Sequence, residues 1–135
     1  VIAADTSTWI AYLQGEPGSD TDLLDRALFD KQAVMPPAVL AELLSDPKLN
    51  PAVVETLSEL PLIEPEPGYW ERAGALRAKV FARGRKARLG DALIAQSCLD
   101  SGIQIITRDG DFNAFADAAG LGLIVETNSP DPGRP

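Results

Sequence analysis

The chain has 135 residues, no histidine, one cysteine and a formal charge of -8 from 20 acidic and 12 basic side chains. Without imidazole it can build neither a histidine-ligated zinc centre nor a Ser-His or Cys-His nucleophile pair, and its lone Cys98 makes no intrachain disulfide. Its length suits one core burying roughly two-thirds of the unfolded surface; with neither a signal-like segment nor an apolar run of about 20 residues, a soluble, cytoplasmic protein without membrane contact is expected.

What chemistry the chain can do falls mainly to carboxylates, which suit hard metal ions. Val1 to Ala4 is a short apolar run ending on Asp5, and Thr6 and Ser7 then begin a helix carrying Trp9, Ile10 and Leu13 on one face. Gly15, Pro17 and Gly18 end it in a turn. Ser19 and Asp22 have capping-box spacing ahead of a second helix with Leu23, Leu24, Ala27 and Leu28 at helical intervals. The acids Asp20, Asp22 and Asp25 read as macrodipole compensation on a solvated surface. Ala33 to Met35 is a weak strand, and Pro36-Pro37 opens a helix with Val39, Leu40, Leu43 and Leu44 inward and Glu42 on the flank of that face. Asn50-Pro51 starts a short helix, Leu60 to Ile63 reads as an edge strand, and residues 64–68 form a breaker too short to divide domains.

Tyr69 to Arg88 reads as a helix with Trp70, Ala73, Leu76 and Val80 inward and Gly84 bending or ending it. Residues 71–88 hold seven of the 12 basic side chains against one acid, Glu71. Arg72, Lys79, Arg83 and Lys86 follow one another at spacings of seven, four and three, a basic face that is either solvated surface or a seat for a phosphate backbone. The stretch Leu89 to Phe112 organises the rest. Its helix is apolar on too many sides to lie on the surface, starts beside Asp91 and stops at Gly102. Ile103, Ile105 and Ile106 make a strand covered on both faces, after which the polarity switches to Thr107, Arg108, Asp109, Gly110 and Asp111. Taken singly, Asp91 is an N-cap and Asp109 with Asp111 an Asx-type turn. Phe112, Phe115 and Ala116 predict a short helix and Leu121 to Val125 a last strand; residues 128–135, rich in Pro, Gly and Asp, predict a disordered tail.

Asp5 in VIAADTSTWIAYL, Glu42 in PPAVLAELL, Asp91 in LGDALIAQSCLDSG, and Asp109 with Asp111 in IITRDGDF together resemble the PIN-domain nucleases. A chain this short most resembles the VapC toxins of type II toxin-antitoxin pairs, although Val1 stands where methionine is usual. The resemblance implies a three-layer α/β/α fold over residues 1–127 around a central five-stranded parallel sheet. It implies magnesium or manganese held by Asp5, Asp91 and Asp109, with Glu42 as ligand or water-positioning base, Asp111 as an auxiliary acid, and Thr6 and Thr107 as supporting hydroxyls. The expected activity is hydrolysis of RNA phosphodiester bonds, and the expected partners are a cognate antitoxin and further copies in a homodimer or toxin-antitoxin hetero-oligomer. The rival reading is a non-catalytic PIN-like module that binds RNA or protein. A phosphoacceptor receiver would want a lysine in LGLIVETN, and a haloacid-dehalogenase-like phosphatase an aspartate where Ser7 stands.

Overall fold

Three apolar runs pair in parallel in the computed structural model, which describes residues 1–125. They are β1 (Ile2–Ala4), β2 (Gln104–Thr107) and β3 (Leu123–Val125), in the order β1-β2-β3. Ala4 lies opposite Ile106, and Thr107 opposite Val125. Ile105, Ile106 and Thr107 are wholly buried beneath α1 (Thr6–Leu13), α2 (Ser19–Phe29) and α6 (Leu89–Ser101). The predicted tail over residues 128–135 lies outside the described residues.

The expectation of five strands is corrected to three among the described residues. Two further segments join beyond β1 through one parallel bridge each, Ile2 with Ala33 and Met35 with Leu62. Val34 N–H donates to Ile2 O at 2.9 Å and Met35 N–H to Pro61 O at 2.8 Å. Pro36 follows Met35 and Pro61 precedes Leu62; a proline has no N–H to give a ladder, so neither segment lengthens into a strand.

The helices follow their sequence signals with local corrections. Asn50 caps α4 (Pro51–Glu59) by accepting Ala52 N–H at 2.8 Å, and Pro36 and Pro37 open α3 (Pro37–Leu44). Gly18, rather than the predicted Ser19, occupies the cap of α2, and Ser19 is already helical. In α5 (Tyr69–Ala82) the inward aromatic is Tyr69, 4 % exposed, while Trp70 is 65 % exposed. Tyr69, Ala73, Leu76 and Val80 step by four, three and four along one stripe, and the Tyr69 hydroxyl donates to Leu93 O of α6 at 2.6 Å. Gly84, at φ +73°, lies just beyond the end of α5, which stops at Ala82 and short of the predicted Arg88. Helix α6 buries Ala92 and the run from Ile94 to Cys98, a central position that its all-round apolar sequence predicts. After a 3₁₀ turn (Gly110–Phe112), α7 (Asn113–Ala119) returns the chain to β3.

Candidate metal centre

Asp5 follows β1 directly, its N–H bonded to Ile106 O at 3.0 Å, and its side chain caps α1. Oδ1 accepts Thr8 N–H at 3.1 Å, the Ser7 hydroxyl reaches the carboxylate at 2.9 Å, and the Thr107 hydroxyl donates to Oδ2 at 2.8 Å. Burial raises the Asp5 pKa, the Thr8, Thr107 and Ser7 donors pull it back, and the charge of Asp109 adds to the rise. Thr107 also accepts Asp109 N–H at 2.9 Å, so one hydroxyl ties the end of β1 to the turn after β2. Thr107→Val, isosteric but unable to bond, is expected to keep the fold and weaken divalent-ion affinity by about 10-fold to 100-fold, the range for groups that orient metal ligands; a calorimetric titration with manganese checks it.

Asp109 caps the 3₁₀ turn by accepting Asp111 N–H at 2.9 Å, which turns Asp111 back towards it. Asp91 stands in the first turn of α6, where Arg88 holds the cap position instead. Asp91, Asp109 and Asp111 each offer an oxygen within 4.8 Å of the others. Two carboxylates at such distances repel by roughly 3–4 kcal/mol at an effective dielectric near 20. The pKa of Asp91 is accordingly pushed up to about 6, first by burial, then by the charges of Asp109 and Glu42, with Arg88 opposing and Asp5 adding a little. Asp91 Oδ2 is buried without a hydrogen-bond partner. Glu42 comes from α3, its Oε1 accepting the Thr6 hydroxyl at 2.6 Å. A Cβ on Gly90 would sit 3.3 Å from Glu42 Oε2, so the glycine leaves that carboxylate room beside α6.

Asp91, Asp109 and Asp111 thus form the tight group, and Asp5 and Glu42 flank it closely enough to act on the charge of Asp91. A cluster of hard oxygen donors containing a buried, unbonded carboxylate oxygen fits a divalent hard cation, which would relieve both the repulsion and the orphaned atom.

The predicted basic face divides. Arg72 is held by Asp100 through bonds of 3.0 and 2.6 Å and donates to Pro67 O at 2.8 Å. Asp100 lies nine residues beyond Asp91 on α6, about 13 Å along the axis, so Arg72 stands away from the acids. Lys86 Nζ reaches Asp111 Oδ2 at 3.9 Å, while Lys79 and Arg83 are exposed on α5 and just after it.

The sequence reading passed over two residues beside the site. Asp20, expected on the solvated surface, is 1 % exposed and receives Arg108 Nε and Nη2, each at 2.7 Å, and the Thr8 hydroxyl at 2.8 Å. Nothing in the sequence separates Asp20 from Asp22 or Asp25; its partner lies 88 residues on. Ser7, read as a helix-starting residue, donates its hydroxyl to the Asp5 carboxylate.

A comparison with curated proteins finds no match. Among solved structures, the chain is similar to the DNA-bound VapBC of Salmonella typhimurium, at 21% identity and a TM-score of 0.72 over 92% of this chain and 96% of that one. VapBC2 of Rickettsia felis bound to a promoter DNA fragment gives the same identity and score over 92% and 97%. A toxin-antitoxin complex from Klebsiella pneumoniae gives 22% and 0.67 over 92% and 96%. At these identities the likeness is one of fold. The family model for the PIN domain matches residues 2–118. With the acids gathered at the carboxyl ends of β1 and β2, and the family model spanning most of the chain, the protein belongs to the PIN domain family.

Proposed function

We propose that the protein is a metal-dependent endoribonuclease, the toxin of a toxin-antitoxin pair, working in the cytoplasm on RNA phosphodiester bonds. The observation that carries this reading is the convergence of Asp91, Asp109 and Asp111, with Asp91 Oδ2 buried and unbonded, beside Asp5 and Glu42. Magnesium or manganese would be held by Asp91, Asp109 and Asp111 with Asp5 alongside; when bound, such an ion polarises a phosphate and lowers the pKa of water at neutral pH.

The chain's own residues then divide the remaining work. Ser7, Thr107 and Thr8 N–H hold the Asp5 carboxyl in place, and Thr107 fixes the turn carrying Asp109. Thr6 holds Glu42 at the open side of the group, placed to orient the attacking water or take its proton. Lys86, beside Asp111, with exposed Lys79 and Arg83, offers cations to the substrate backbone, whereas paired Arg72 contributes to the α5–α6 contact. Antitoxin pairing in a hetero-oligomer is supported by the complexes this chain resembles in fold. No helix of the described residues is long and apolar enough to cross a membrane.

The experiment is cleavage of a mixed cellular RNA pool by purified protein with magnesium, manganese or EDTA. Cutting at a few discrete sites, lost in EDTA and suppressed by saturating antitoxin, is the expected result. No cutting from protein free of antitoxin would leave a PIN-like module that binds RNA or protein without hydrolysing it.

A further inference from the structure

Arg108 sits in the chain between two site residues, yet its side chain turns away from them. Its guanidinium grips buried Asp20 through Nε and Nη2 at 2.7 Å and reaches Glu16 through Nη1 at 3.1 Å, and only 22% of the side chain is exposed. Thr8 completes a closed circuit: its hydroxyl donates to Asp20 Oδ2 at 2.8 Å, and its N–H to Asp5 Oδ1 at 3.1 Å. From Arg108 the peptide chain leads back to Thr107, whose hydroxyl bonds the other oxygen of Asp5. The circuit links the first turn of α1 and the start of α2, consecutive helices, to the turn after β2, 88 residues beyond Asp20, and these segments carry or brace Asp5 and Asp109.

The geometry points to Asp20 and Arg108 as positioning residues for the metal centre: their ion pair sets the turn bearing Asp109 against the cap formed by Asp5, and holds a guanidinium out of the acidic cleft. Two features favour this role over general stabilisation. A bidentate fork fixes distance and orientation together, which a point charge does not. A buried ion pair is weak as a source of net stability, because desolvating both charges offsets much of their attraction. Asp20 further holds Arg108 where it neutralises Asp20 and Glu16. Released from Asp20, the guanidinium would stand one residue from Asp109, where it would compete with a divalent ion for the same oxygens.

This inference rests on the metal-dependent reading, and the test separates the two. Manganese binding is measured by the electron paramagnetic resonance of free Mn²⁺, on the full chain at low temperature where every variant tested is folded, with melting temperatures recorded beside it. Asp20→Asn is expected to weaken Mn²⁺ affinity about tenfold, the lower end of the range for residues that orient metal ligands. Because stranding one buried charge can unfold a protein, Asp20→Leu with Arg108→Met removes both charges together, and the same tenfold loss is expected from it. Asp100→Asn breaks a comparable ion pair remote from the acids and is expected to lower the melting temperature with Mn²⁺ affinity unchanged. Wild-type affinity in the folded double variant would overturn the positioning role and leave the metal reading standing; absence of saturable Mn²⁺ binding by the wild-type protein would overturn both.

Discussion

Asp91→Asn is expected to silence the nuclease and, in EDTA at pH 8, to melt at a higher temperature than the wild type. The two effects have one cause. In the folded protein the Asp91 carboxyl titrates at about 6 against an ordinary value of 3.8, because burial and neighbouring Asp109 and Glu42 penalise its charge. Below pH 3.8 the group is neutral in both the folded and unfolded chains and costs nothing. As pH rises to about 6, the unfolded chain releases the proton first, so stability is progressively lost and the deficit is complete above pH 6. The full shift corresponds to about 3 kcal/mol. The residue is only partly buried, and solvent screening brings the deficit down to the order of 1 kcal/mol. Asparagine keeps the shape, discards the charge and should therefore raise the melting temperature by about 2–5 °C at pH 8, with little difference from wild type at pH 4. Manganese should invert the order, since it stabilises only the protein that binds it. Cleavage should fall by more than about 100-fold, past the range for groups that merely orient a ligand. Scanning calorimetry with and without metal, beside an RNA cleavage assay, checks each part; a variant that melts lower than wild type in EDTA at pH 8 would mean that the unbonded oxygen is not a liability.

That liability lies where the sequence is easiest to read. Asp5, Asp91 and Asp109 each stand at a junction where an apolar run begins or stops, and in a parallel sheet such junctions fall at the carboxyl ends of the strands. Their order in the chain therefore carries most of their order in space. Glu42 is harder: on its own helix it is an exposed acid, and only the Thr6 hydroxyl and the gap over Gly90 mark it as held. Asp20 is beyond local reading, since its ion-pair partner is Arg108, 88 residues on in the turn after β2. The same limit applies to Tyr69 and Trp70, adjacent residues of similar hydrophobicity whose inward or outward direction is decided by which one continues the Ala73, Leu76, Val80 stripe against α6. The overestimate of five strands had a local signal against it, because the prolines beside Met35 and Leu62 withhold ladder donors. Apolar character was legible there, but it specifies burial and not hydrogen bonding.

Manganese affinity is expected to fall about tenfold for each pH unit below 6 and to level off above it. On the proposed reading a proton and a metal ion would compete for the oxygens of Asp91, and because that carboxyl titrates at about 6 a single proton would govern the affinity just below this pH. The Asp5 pKa is raised as well, with burial first among its causes, so a second competing proton should steepen the decline as pH falls further. Carboxylates at ordinary values would hold their affinity down to about pH 5, so the position of the bend reports the crowding of the acids directly. The effect on stability has the opposite sign from that in EDTA. With metal at about 100 times its dissociation constant, binding contributes about 2.7 kcal/mol, and a tenfold weaker site at pH 5 gives up about half of it. On the proposed reading, an ion bound above pH 6 would thus turn an unfavourable charge into an anchor, while below pH 6 the metal-free and metal-bound proteins should converge in melting temperature. Titrations at pH 5, 6, 7 and 8, repeated on Asp91→Asn, decide it. If wild-type affinity is flat between pH 5 and 6, Asp91 is not the group whose proton the ion displaces, and the centre would have to be built on Asp109 and Asp111 without it.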